Sequence, residues 1–175
     1  YDVRQVMATL PQSGEVRHAI RQFTLNPEVE GRARSVKKLA ENLGFSVSEV
    51  DMPKGMNGRL AQDTWAENGF RIEINFRLSV QAKRFAVLHE MGHYFRHRSQ
   101  DFDPFMETMH FDPSGQTFYL DTAKETEANQ WAEALLFGAG QLSAACGLHG
   151  EDLPRLANYF GVTERVVSIA LQKLR

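Results

Sequence analysis

A chain of 175 residues buries one hydrophobic core and is too short for two well-built domains. With 42% apolar and 24% charged residues it is excluded from the disordered class, and a formal net charge of −2 supplies no long-range attraction for nucleic acid or an anionic membrane. No run approaches the roughly 20 apolar residues that span a bilayer, and the N-terminus lacks a basic segment followed by an apolar one, so a soluble, cytoplasmic protein with no membrane partner is expected.

Residues 1–31 carry weak helical patterns broken at Pro11 and Pro27, which reads as a helical arm preceding a main domain over 32–175. From Ser35, a plausible N-cap, Val36, Leu39, Ala40 and Leu43 share one helical face that stops at Gly44. Phe45, Val47 and Val50 suggest a short strand, and a loop through Met52-Pro53-Lys54-Gly55 leads to another at about 59–65. After the turn Glu67-Asn68-Gly69, Phe70, Ile72, Ile74 and Phe76 alternate with Arg71, Glu73 and Asn75, the pattern of a strand with a single buried face. Together these pieces predict an α+β domain in which a small antiparallel sheet packs on a mainly helical core. A helix is expected over Ser79–His97, a long loop over 99–120, and a second strong helix over Thr122–Phe137. The stretch 151–175 has the look of a helix-turn-helix pair, Glu151–Phe160 and Thr163–Leu174 about Gly161. Glu164 interrupts any basic face on its second helix, which favours packing over direct DNA binding.

The chemistry concentrates in His89-Glu90-Met91-Gly92-His93. Residues four apart on a helix lie about 40° apart around the axis and about 6 Å along it, so His89 and His93 can aim their imidazoles at one tetrahedral zinc ion. Glu90, about 100° around from His89, is placed to take a proton from a water at the metal. A catalytic zinc needs a third protein ligand. Glu125 is the candidate, because it shares the apolar-centred face of the second helix with Ala128, Asn129, Ala132 and Leu135, whereas Glu127 projects to the opposite side. A competing reading makes Glu125 the partner of Thr122 in a capping box. Asn129, one turn on, can orient a ligating histidine. His97 lies a further turn along and reads as solvated beside Arg96 and Arg98. His110 and Tyr119, like His149 and Tyr94, are candidates to stabilise a transition state, though each is more often an ordinary residue. Cys146, the only cysteine, permits no disulfide or multi-thiolate site and reads as a buried small residue.

In these residues the chain resembles the ImmA/IrrE metallopeptidase family. The resemblance runs from about 33 to 174, through Gly58-Arg59-Leu60, Ile72-Glu73-Ile74-Asn75, HEMGHYFRH, Glu125-Thr126-Glu127-Ala128-Asn129 and the LANYFGV segment, with Trp131 and Phe137-Gly138 as departures from the usual pattern. It implies a gluzincin-like fold, His89, His93 and Glu125 as zinc ligands, and Glu90 as catalytic base. It further implies a helix-turn-helix repressor as protein substrate, in stress responses or toxin-antitoxin-like pairs. The rival expectation is a non-catalytic module that sequesters a repressor or binds DNA around a structural zinc.

Overall fold

The computed structural model describes residues 2–97 and 122–175. Among them, eight helices and two small sheets make up an α+β fold, the class expected from the sequence. Two compact units emerge, one of Tyr1–Ser35 with Glu133–Arg175 and one of Val36–Ala132. None of the helices among the described residues is long and apolar enough to cross a membrane.

The chain starts with α1 (Val3–Ala8) and α2 (Gly14–Leu25). Asp2 and Gln5 form a reciprocal capping box on α1, and the Ser13 hydroxyl accepts from Val16 N to start α2. A hairpin of β1 (Glu28–Val29) and β2 (Arg32–Ala33) follows, turning through Glu30 and Gly31, both at positive φ. Strands of two residues are too short to show alternation, which is why the sequence reveals only a break there.

In the Val36–Ala132 unit, α3 (Val36–Asn42) buries Val36, Leu39 and Ala40 as its periodicity requires. The strands β3 (Ser46–Val50), β4 (Gly58–Gln62) and β5 (Phe70–Asn75) form a sheet of order β3-β5-β4. The expectation of an antiparallel sheet needs correction: β4 pairs antiparallel with β5, but β3 pairs parallel with it. The β4–β5 hairpin seats β5 between the other two, so it is hydrogen-bonded along both edges. Alternation predicted Glu73 and Asn75 on a solvated face, yet both are buried. Glu73 is held by Arg59 at 2.6 Å and Arg71 at 3.2 Å, and the Asn75 amide donates to the Met56 carbonyl at 2.9 Å. Burial without such partners would cost several kcal/mol, roughly 2–7 per group.

α3 and α4 (Val80–His97) lie against this sheet, and α4 is buried from Ala86 through Phe95 apart from His89. A helix covered nearly all round sits inside its unit, not on its surface. α4 meets α5 (Thr122–Phe137) at Gly92, where an added Cβ would come within 2.8 Å of the Ala128 carbonyl oxygen and 3.2 Å of Trp131 Cβ. Trp131 in turn stacks on Phe95, ring centroids 5.6 Å apart.

The C-terminal elements are α6 (Gln141–His149), α7 (Leu153–Phe160) and α8 (Glu164–Leu174). Leu156, Ala157 and Phe160 of α7 and Val167, Ala170 and Leu171 of α8 are buried, so the pair is packed along its apolar faces. Lys173 reaches Glu133 and Arg175 reaches Glu151, each at 2.6 Å, which neutralises basic charge on α8 within its own unit. Replacing Gly92 with alanine is expected to force the α4–α5 crossing apart and cost about 1–3 kcal/mol, read as a lower urea midpoint for the full chain.

Candidate metal centre

The spacing of α4 stacks His89, His93 and His97 one turn apart along a single stripe. The Ser79 hydroxyl, accepting from Ala82 N at 3.2 Å, fixes where that helix starts and therefore the phase of the stripe. Glu125 comes from the first turn of α5, and the bare backbone at Gly92 lets the two helices approach closely enough for its carboxylate to reach the rings.

Three donor groups converge there, their ligand atoms all within 4.8 Å of one another. His89 Nε2 stands 2.9 Å from Glu125 Oε2, His93 Nε2 stands 3.0 Å from Glu125 Oε1, and the two Nε2 atoms are 3.1 Å apart. Ligands about 2.0–2.1 Å from a tetrahedral ion are separated by about 3.3 Å along each edge, so the triangle has nearly the required size. The tautomer of His89 is set from behind: its Nδ1 lies 2.7 Å from Asn129 Oδ1, an acceptor, and so carries the proton. That leaves a lone pair on Nε2 directed at an anion. Lone pair against carboxylate is repulsive until a cation lies between them, and the donor set of two imidazoles and one carboxylate fits a divalent ion such as zinc. Both oxygens of Glu125 lie within hydrogen-bond distance of the histidines.

Glu90 is buried, and its Cγ lies 3.5 Å from where a Cβ on Gly58 would stand. The backbone of β4, an outer strand of the sheet, thus passes directly beside it. Any side chain at residue 58 would fill this space.

His97 departs most from expectation. Read as solvated, it is instead fully buried, with Nδ1 3.2 Å from His93 Nδ1 and Nε2 2.8 Å from Glu127 Oε2. A helical wheel turns Glu127 away from Glu125, but the glutamate side chain is long enough to reach a ring one turn beyond the metal triangle. The clue available in the sequence was the third histidine at the same four-residue spacing. His110 and Tyr119 lie outside the described residues. Tyr94 is a core residue, its ring edge-on to Phe45 and Phe70 at 4.9 and 5.2 Å. His149 ends α6, with its ring 5.3 Å from that of Tyr159. Cys146 is half-buried, and burial followed by the charge of Glu151 pushes its thiol up, away from nucleophile chemistry.

A helix that carries two imidazoles and a buried glutamate in HExxH order, facing a carboxylate on the Thr122–Phe137 helix, defines the metallopeptidase-like class. Residues 40–172 match the model of peptidase family M78, the IrrE N-terminal-like domain, and the chain belongs to that family. Among curated proteins no match is found. Glu125→Ala removes one of three donors and is expected to weaken zinc binding beyond the roughly 10–100-fold typical of lost outer-shell partners, the range expected for Asn129→Ala; competition with a chromophoric chelator measures both.

Proposed function

We propose that the protein is a zinc-dependent endopeptidase that hydrolyses a peptide bond in a protein substrate inside the cell. The observation that carries this reading is the triangle of His89, His93 and Glu125, with the His89 lone pair already turned inward by Asn129. When bound, a zinc ion held by His89, His93 and Glu125 would supply Lewis acidity toward a water and a carbonyl. Glu90, next in sequence to one ligand and shielded from solvent, accepts the water's proton and returns it to the departing amine. Among the described residues the outer edge of β4 pairs with no other strand, which suits it to receive an extended peptide, and the absence of a side chain at Gly58 leaves that strand flush against Glu90. A helix-turn-helix repressor or antitoxin-type regulator is the substrate class that the family resemblance favours.

Glu90→Gln is the discriminating variant. It is expected to lower cleavage of a repressor encoded beside this gene by about 10²–10⁴-fold, measured by mass spectrometry of the fragments, while metal content stays at the wild-type value. A protein that acts by sequestration would keep its biological effect in this variant. Hydrogen exchange of the Gly58–Gln62 amides should slow on adding uncleaved substrate to Glu90→Gln; unchanged exchange there would rule out strand pairing as the binding mode.

A further inference from the structure

Behind the metal triangle, His93, His97 and Glu127 form a line of polar contacts in a buried setting, with His93 1% and His97 0% exposed. We propose that His97 and Glu127 are a positioning relay that fixes the proton of His93 on Nδ1 and so keeps its Nε2 lone pair turned into the metal centre. The inference rests on His93 being a metal ligand, the reading given above.

The direction of the relay follows from what each atom can do. A carboxylate only accepts, so the Nε2 of His97, 2.8 Å from Glu127 Oε2, carries the proton and donates it. A neutral imidazole has one N–H and one lone pair, which leaves the lone pair of His97 on Nδ1. The Nδ1 of His93 at 3.2 Å must therefore be the donor in that contact. Its own lone pair then sits on Nε2, 3.0 Å from Glu125 Oε1 and 3.1 Å from His89 Nε2, at the centre of the triangle. The opposite polarity would set the His97 Nε2 lone pair against the Glu127 carboxylate. Arg96, 3.4 Å from the same carboxylate oxygen, holds Glu127 in place. His93 thus receives by way of a second imidazole what His89 receives from Asn129, and the two ligands are oriented by different devices.

The test is zinc affinity of the full chain, measured by chelator competition, with the fold of each variant checked by unfolding without metal. Leucine at 97 keeps the volume and deletes the acceptor, so His97→Leu is expected to weaken zinc binding by about 10–100-fold. His97→Gln offers an amide oxygen to the His93 N–H and should stay within a few fold of wild type. Glu127→Ala, at a side chain one-third exposed, should lower affinity in the wild-type background and have no further effect in His97→Leu, because it acts through that ring. If His97→Leu fails to fold, the contrast between Glu127→Ala and Glu127→Gln, which retains an acceptor for His97, decides the question. Wild-type affinity in folded His97→Leu or in Glu127→Ala, or a Gln variant as weak as the Leu one, would overturn the relay. So would a Glu127→Ala loss of equal size in both backgrounds. A wild-type chain that binds no zinc would instead overturn the metal-centre reading itself.

Discussion

The structure is organised around a close meeting of two imidazoles and one carboxylate that a divalent cation would bridge. Two imidazole nitrogens and a carboxylate are held about 3 Å apart, with the His89 proton directed outward to Asn129 and its lone pair inward. Left to relax, such groups would turn away from one another, so the surrounding packing has to hold them. Burial of α4 on nearly every side fixes the rotation of the histidine stripe, and the bare crossing point at Gly92 fixes the distance to Glu125. Preorganisation of this kind removes the reorganisation that a loosely held triad would undergo when an ion arrives.

Among the described residues of the Val36–Ala132 unit, several buried polar groups meet a polar counterpart. Glu73 lies between two arginines, Asn75 spans the carbonyls of Met52 and Met56, and His97 meets Glu127. Asp63 extends the Glu73 cluster to Ser46 and Arg71, tying the start of β3 to the β4–β5 hairpin. Among the described residues, the Thr24 hydroxyl is the buried side-chain polar atom that lacks a hydrogen-bond partner. Low-dielectric surroundings make each satisfied contact stronger and each orphan more costly, so these pairs specify the sheet's order as much as its apolar face does.

How much of this was legible beforehand depended on the range of the interaction. Helical phase is local, so the alignment of His89 with His93 and the shared face of Glu125 and Asn129 could be read from residue spacing alone. The α+β class followed equally from periods of 3.6 and 2. Strand partners are not local: the hairpin signal at Glu67-Asn68-Gly69 announces the β4–β5 pair, but nothing in residues 46–50 says that β3 joins β5 in parallel. Nor can alternation distinguish a solvated Glu73 from one clamped by Arg59, fourteen residues away. His97 was misread for a related reason. Arginines beside it in the sequence suggested water, whereas burial of its ring is set by a tertiary contact with Glu127. The Trp131 departure from the family pattern is explained by the stack on Phe95, which a wider ring covers more fully.

The chain holds only two tryptophans, and they occupy opposite environments: Trp65 is 95% exposed in the β4–β5 connection, while Trp131 is fully enclosed beside Gly92 and Phe95. An aqueous quencher such as iodide therefore silences one fluorophore and spares the other. The emission that survives comes from an indole lying against the helix that bears His93, giving an intrinsic optical gauge of how tightly that helix and the one bearing Glu125 are pressed together, without any label.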